Sequence, residues 1–139
     1  MTTELTVRRT LSAPAERVWR ALTEPKALAA WFWPERFGTT TEIDLRPGGR
    51  YRITGGGMTV TGEYVEVDPV TRLVYTWRWD GEVHDSLVTV TLSEIGDGTD
   101  LLVVHERLPE AEVDNHAKGW SDCLDRLPAH LEPAKESAD

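Results

Sequence analysis

The segment of residues 110–132 constrains this chain most, because its apolar residues recur at alternating steps of four and three. They are Val113, Ala117, Trp120, Leu124, Leu127 and Leu131. This spacing predicts an α-helix with one apolar stripe, and most of its charged residues fall on the other side. A helix of about 20 residues is roughly 30 Å long, which is enough to cross a small domain. It needs a long apolar surface to lie on, and the preceding chain must supply that surface.

Short runs of alternating apolar and polar residues precede this helix and predict strands. The run of residues 5–11 predicts a half-buried first strand, on which Arg9 has the parity of the apolar side chains. Six more strands follow from Thr41 onward, separated by turn sequences at residues 46–49, 55–57, 68–71, 80–82 and 96–98. We expect a bulge or bend at Gly62, within the third of these six strands.

Two short helices are predicted between the first strand and the later ones. Pro14 stands at the first helical position, and the helical pattern restarts after Pro25. Pro34 ends the second helix because it disfavours helical geometry at Trp33. The consecutive aromatic residues 31–33 cannot all face one direction, so at least one should be exposed or should line an opening.

Together these elements predict one α+β domain over residues 1–139, with an ordered core of about residues 4–132 and a frayed tail at residues 133–139. The tight turns imply antiparallel neighbours. The long helix is the only predicted element able to cover the apolar face of the sheet. We therefore expect a curved seven-stranded antiparallel sheet wrapped around the C-terminal helix, with two short helices after the first strand. Pro128 should kink or loosen the last helical turn.

Composition argues against several classes of function. The chain has 15 basic and 24 acidic residues and a net charge of −9, which argues against a nucleic-acid partner because such binding needs clustered Lys and Arg. No apolar run approaches the roughly 18 residues of a membrane span, and we see no signal-peptide pattern, so we expect a cytoplasmic protein without membrane insertion. The single cysteine, Cys123, excludes an internal disulfide and fits a reducing compartment.

No pattern in the chain carries a catalytic, cofactor or metal signature. The histidines at positions 84, 105, 116 and 130 lack metal-ligand spacing, and we expect no metal and no cofactor. Nucleophile-elbow, Walker and dinucleotide-binding motifs are missing. His116 and Cys123 lie near one helical face, at a spacing more typical of packing than of a nucleophile pair. We therefore assign no catalytic residues.

An aromatic and polar set is the most informative group of residues. Their positions on the predicted elements direct them between the sheet and the long helix, where a mainly apolar ligand site with a few polar groups is expected. The alternative is that the same rings fill the core to normal density. The candidate ligand-binding residues are Arg9, Trp31, Trp33, Tyr51, Met58, Tyr64, Tyr75, Trp77, Trp79, His105 and Trp120.

Short motifs follow one another in order along nearly the whole chain. They are Leu11-Ser12-Ala13-Pro14, Val18-Trp19, Trp31-Phe32, Asp44-Leu45-Arg46-Pro47-Gly48-Gly49-Arg50-Tyr51, Gly62-Glu63-Tyr64, Asp68-Pro69, Leu73-Val74-Tyr75-Thr76-Trp77, Gly98-Thr99-Asp100-Leu101 and Lys118-Gly119-Trp120. Taken together, they resemble the activator of heat shock protein 90 ATPase homologue-like branch of the START/SRPBCC superfamily. The resemblance implies the helix-grip fold and a cavity between sheet and long helix, open near the first two helices and often suited to apolar small molecules. It implies no single reaction.

Three functions stay open on the sequence alone. The favoured one is a protein that binds a small apolar or aromatic molecule in an internal cavity, with Arg9 or His105 anchoring a polar end. The second is a cyclase- or hydratase-like enzyme for a polyketide-like substrate, with His105 as acid or base and Arg9 polarising a carbonyl. The third is a protein-interaction or stress-related co-chaperone-like module, in which the exposed part of residues 31–33 docks a partner or a second subunit of a homodimer.

Overall fold

A computed structural model describes residues 2–131 of the chain. The predicted tail at residues 133–139, and Glu132 at the end of the predicted helix, lie outside the described residues. Short 3-10 turns at Glu35–Phe37 and Glu110–Glu112 connect some of the main elements. In chain order these elements are β1 (Thr2–Leu11), α1 (Ala15–Thr23), α2 (Pro25–Trp31), β2 (Thr40–Ile43), β3 (Arg50–Gly55), β4 (Met58–Asp68), β5 (Arg72–Trp79), β6 (Ser86–Ile95), β7 (Gly98–Pro109) and α3 (Val113–Leu131).

The seven strands form one curved antiparallel sheet in the order β1-β7-β6-β5-β4-β3-β2. From β2 to β7 each strand pairs with the next one along the chain, and β1 closes beside β7. Alternate residues of the central strands are buried, as Val88 and Val90 show on β6 opposite His105 and Val103 on β7. The predicted α+β helix-grip architecture is confirmed.

The helix α3 covers the sheet with the apolar stripe that its sequence predicts. It begins at Val113 rather than at residue 110, because residues 110–112 form the 3-10 turn, and it continues through Pro128 to Leu131. Val113 and Ala117 are only partly buried, so the stripe is less covered in the first two turns. Among the helices in the described part of the chain, none has both the length and the apolar character that crossing a bilayer requires. The buried residues of α3 are Trp120, Cys123, Leu124, Leu127 and Leu131.

The bulge in β4 lies three residues beyond the predicted position. Gly62 keeps regular pairing with Tyr51, whereas the register between β4 and β5 shifts between Tyr64 and Glu66. A Cβ atom at position 62 would lie 2.0 Å from the carbonyl oxygen of Thr76. The glycine therefore allows a close approach of two strands, and the prediction of a bulge at Gly62 was wrong.

Candidate functional site

A cavity of about 500 Å³ opens between residues 115–126 of α3, the end of β5 and the segment that follows α2. Six of its fourteen lining residues are Phe or Trp, and polar side chains surround them. Four members of the predicted aromatic set line it, together with residues that the sequence did not single out. The lining residues are Phe32, Trp33, Pro34, Arg36, Phe37, Trp77, Trp79, Asn115, His116, Gly119, Trp120, Asp122, Cys123 and Arg126.

The aromatic wall is built from rings that pack on one another. Trp33 lies nearly parallel to Trp79, with an interplanar angle of 9° and a centroid distance of 6.3 Å. Trp77 meets Trp79 edge to face at 5.5 Å, and Phe32 meets Trp120 in the same way at 6.0 Å. Offset and edge-to-face pairs are the favourable arrangements of aromatic rings, so each ring fixes the orientation of its neighbours.

The aromatic run at the end of α2 reaches the cavity without becoming exposed. Trp31, Phe32 and Trp33 are 2%, 3% and 7% exposed, and the last two line the cavity. The Arg126 side chain of α3 donates hydrogen bonds from Nε to the Trp31 carbonyl (3.1 Å) and from Nη2 to the Phe32 carbonyl (2.7 Å). Carbonyl groups at a helix C-terminus lack partners within the helix, and a cation there is favourable. Arg126 therefore holds this end of α2 against α3.

One face of α3 borders the cavity. His116, Gly119, Cys123 and Arg126 recur at steps of three and four residues, which places them on one side of a helix. A Cβ atom added at Gly119 would meet no other atom within 4 Å, so the middle of this face is open space. The same spacing is visible in the sequence, but the predicted ligand-binding set does not include His116, Cys123 or Arg126.

His105 is buried on β7 behind the aromatic wall and has both ring nitrogens occupied. Trp120 Nε1 donates to His105 Nδ1 at 2.9 Å. Because an indole N–H can only donate, the neutral ring carries its proton on Nε2, which donates to Ser86 Oγ at 2.7 Å. Burial, and to a smaller extent the nearby His116, lowers the pKa of His105 to about 3. His105 is therefore a neutral acceptor that positions Trp120.

His116 repeats this arrangement for a second tryptophan. Its Nδ1 donates to the Glu112 carbonyl at 2.9 Å, and its Nε2 accepts a hydrogen bond from Trp79 Nε1 at 3.0 Å. The rings of His105 and His116 meet edge to face at 5.3 Å. Two tryptophan–histidine pairs thus anchor two walls of the cavity, and His116 was not among the predicted site residues.

A second, much smaller cavity of about 30 Å³ lies between β3 to β5 and the first two helices, and Trp120 of α3 also lines it. This is roughly the volume of one water molecule. Tyr51, Tyr64 and Tyr75 fill the surrounding space, with ring centroids 5.3 to 6.0 Å apart. Burial raises the pKa of each of these phenols well above its ordinary value, so all three are neutral. Trp31 and Trp120 also line this small space.

The remaining predicted residues lie outside both cavities. Arg9 is half-buried on β1, and its Nη2 donates to Ser121 Oγ (2.9 Å) and Asp125 Oδ1 (3.1 Å) on α3. It therefore ties the first strand to the helix. Met58 is half-buried at the start of β4 and packs against the core. The predicted set is thus divided between the large cavity, the small cavity and structural positions.

Several polar groups surround the large cavity. The Arg36 guanidinium lies over the Phe37 ring, 5.3 Å from its centroid. Asp122 Oδ2 lies 3.3 Å from Lys118 Nζ, one turn earlier on α3. Burial raises the pKa of the Cys123 thiol to about 12, although the neighbouring Arg126 opposes that shift. Within residues 2–131, no three His, Cys, Asp or Glu side chains are arranged to hold a metal ion.

A curved antiparallel sheet that grips a long C-terminal helix defines the helix-grip class of the START/SRPBCC type. The family model for activator of Hsp90 ATPase homolog 1-like proteins matches residues 12–132. The chain belongs to this family.

Relatives of known sequence or structure agree with this assignment. The human activator of 90 kDa heat shock protein ATPase homolog 1 is 25% identical over 121 residues, which are 86% of this chain and 34% of the human protein. The chain therefore spans about a third of that relative. A crystal structure of a Chromobacterium violaceum protein is 34% identical with a TM-score of 0.81, covering 94% of this chain and 98% of the other. DynU16, a protein of the dynemicin biosynthetic locus, is 28% identical with a TM-score of 0.82, covering 93% and 47% of the two chains.

Proposed function

We propose that this protein binds a small apolar or aromatic molecule in the large cavity beside α3. The observation that carries the proposal is an aromatic-lined space of about 500 Å³, within the roughly 300–1,000 Å³ typical of ligand pockets. The flat faces and edges of the tryptophan rings suit a planar guest.

The proposed site occupies one end of the sheet–helix interface rather than its centre. Beside the three tyrosines only about 30 Å³ is left between the sheet and the first two helices, which is too little for an organic ligand. Arg9 and His105 do not serve as polar anchors in this proposal, because Arg9 is bonded to α3 and His105 lies behind Trp120. A small-molecule ligand is consistent with the similarity to DynU16, which is named for a biosynthetic locus.

The cyclase- or hydratase-like alternative finds no supporting geometry. An acid or base catalyst needs a nitrogen within hydrogen-bond reach of the substrate and a pKa near the working pH. Both nitrogens of His105 are engaged by Trp120 and Ser86, and its pKa is lowered to about 3. The Arg9 guanidinium is directed at Ser121 and Asp125 instead of a shared reaction site.

The protein-interaction alternative has no exposed aromatic surface at residues 31–33 to support it. That hypothesis required an exposed aromatic ring within residues 31–33, and all three rings are buried. The human relative carries the name of an Hsp90 ATPase activator, but this chain spans about a third of it. No contact among the described residues favours a chaperone partner over a small molecule.

Titration with N-phenyl-1-naphthylamine tests the proposed function. This dye is neutral and aromatic, and its emission increases in apolar surroundings. We expect saturable binding with one dye per chain, together with a rise in melting temperature, because a ligand that binds only the folded state stabilises it. Wild-type protein without saturable dye binding and without a thermal shift would contradict the proposal.

Substitutions at Gly119 locate the binding. Gly119→Leu places a side chain in the open space on the cavity face of α3, whereas Gly119→Ala adds a single methyl group. Replacing a glycine inside a helix removes a penalty of about 1 kcal/mol, so both variants should melt no lower than wild type. We expect the Leu variant to lose the dye and the Ala variant to retain it. Equal dye affinity in both variants would place the dye elsewhere.

A further inference from the structure

We propose that the ligand of this cavity carries an anionic group, such as an aromatic carboxylate or sulfonate, and that Arg36 and Arg126 bind that group. The inference rests on the proposed function, since it assigns a charge to the molecule that the cavity holds. Both arginines line the same cavity, one from the segment after α2 and the other from α3.

The Arg126 guanidinium has N–H donors that its hydrogen bonds to the end of α2 do not use. Its bonds to the Trp31 and Phe32 carbonyls use Nε and Nη2, and neither uses Nη1, which supplies two more N–H donors in the same plane. The side chain is half-buried, so its charge is only partly hydrated. A carbonyl accepts a hydrogen bond without neutralising the charge. A partly desolvated guanidinium is stabilised further by an anion, and its planar fork suits a two-oxygen acceptor.

Six of the twelve arginines of this chain have a carboxylate partner among the described residues, and neither cavity arginine is one of the six. Within residues 2–131, neither Arg36 nor Arg126 has a carboxylate oxygen within 4.0 Å. Within the same residues Arg20, Arg52 and Arg107 also lack such a partner, so the distinguishing feature of Arg36 and Arg126 is that both lie beside one cavity. The arginines that do have such a partner are Arg8, Arg9, Arg46, Arg50, Arg72 and Arg78.

The surroundings direct an anion to this end of the cavity. Arg36 is exposed at the rim of the cavity, where its guanidinium lies over the Phe37 ring. Asp122 is the acidic residue among those that line the cavity and would repel an anionic ligand. Lys118 Nζ lies 3.3 Å from its carboxylate and offsets part of that charge. Because the chain as a whole repels anions, binding of an anionic ligand must come from local contacts. A ligand whose aromatic rings pack against the tryptophans and whose negative charge lies at the arginines makes such local contacts.

A pair of dyes that differ by one charge tests this inference. Anilinonaphthalene sulfonate has the ring system of N-phenyl-1-naphthylamine plus a sulfonate group. Both dyes are titrated into wild-type protein and into Arg36→Gln, Arg126→Gln and Arg52→Gln, the last being an exposed arginine on β3 outside the cavity. We expect the sulfonate dye to bind wild type about tenfold more tightly than the neutral dye, the equivalent of one charge-assisted hydrogen bond. Each cavity variant should weaken the sulfonate dye about tenfold, whereas Arg52→Gln should change its affinity less than about twofold.

The outcomes separate this inference from the proposed function. If both dyes bind wild type equally, or if Arg36→Gln weakens both alike, the anionic group is refuted while the cavity remains a binding site. If neither dye binds, the proposed function fails and this inference fails with it. Binding of the sulfonate dye that persists in Gly119→Leu would place it outside the cavity and also refute the inference. Arg36→Gln alone decides the matter if Arg126→Gln unfolds, because Arg126 also holds the end of α2.

Discussion

Acidification should destabilise this protein through His105, and the size of the effect follows from the lowered pKa that burial gives this side chain. The pKa of His105 is lowered from 6.5 to about 3 in the folded protein. Below pH 6.5 the unfolded chain therefore takes up a proton that the folded protein does not, so the free energy of unfolding falls as the pH falls. The loss continues until the pH approaches 3, where the folded protein takes up the proton as well.

The expected magnitude is about 1.4 kcal/mol for each pH unit within this interval. Between pH 6.5 and 4, the contribution of His105 amounts to roughly 3 kcal/mol. Other groups titrate over the same range, so the measurement is a difference between wild type and His105→Gln, which has no proton to gain. Free energies of unfolding from urea denaturation, followed by tryptophan fluorescence at several pH values, give this difference.

At pH 7 the Gln variant should be less stable than wild type, because it cannot reproduce the bonds to Trp120 and Ser86. The gap should shrink by roughly 3 kcal/mol at pH 4. Ser86→Ala is the matched control, since it removes one partner of His105 and leaves the titrating ring in place. Between pH 7 and 4, the free energy of unfolding of Ser86→Ala should fall by the same amount as that of wild type. A gap between wild type and His105→Gln that stays constant from pH 7 to 4 would refute the reasoning.

Three further predictions concern packing and reactivity. Gly62→Ala should lower the free energy of unfolding by about 1–3 kcal/mol, because its Cβ would lie 2.0 Å from the Thr76 carbonyl oxygen; an unchanged urea midpoint would contradict this. Leu124→Ala, at a fully buried position of α3, should lower the free energy of unfolding by about 2–5 kcal/mol. A loss below about 1 kcal/mol would contradict this, because it would mean that neighbouring side chains fill the space that the leucine leaves. Cys123, with a pKa of about 12, should react with iodoacetamide at pH 8 far more slowly than in urea, and equal rates by mass spectrometry would contradict its burial.

The sequence was sufficient for the fold because the fold depends on local patterns. Period-two alternation identified the strands, tight turns implied antiparallel order, and the stripe from Val113 to Leu131 identified the covering helix. The register shift near Tyr64 was placed wrongly at Gly62, because a glycine in a strand serves equally for a bulge or for a close approach of two strands. Only the position of the Thr76 carbonyl in the folded sheet distinguishes these uses.

The candidate site could be predicted only in part, because strand parity does not measure how far a side chain is from its neighbours. Parity directed Tyr75 and Trp77 into the same interior, yet Tyr75 is enclosed by other tyrosines whereas Trp77 borders open space. The partners of His105 come from β6 and α3, far away in sequence. Arg36 lies in a polar turn whose position beside the cavity depends on how α2 docks on α3. Such contacts between distant segments leave no local pattern.

The clustered tryptophans also give the protein an optical property that no single residue has. Trp33, Trp77, Trp79 and Trp120 form a chain of neighbours with ring centroids 5.5 to 6.3 Å apart. At such separations the indole transitions couple, so near-ultraviolet circular dichroism depends on the relative orientation of the rings and excitation migrates among them before emission. A guest that turns one ring changes the spectrum of the whole cluster. Occupancy of the cavity can therefore be followed without any label, and one Trp→Phe substitution should alter the spectrum by more than its share of the six tryptophans.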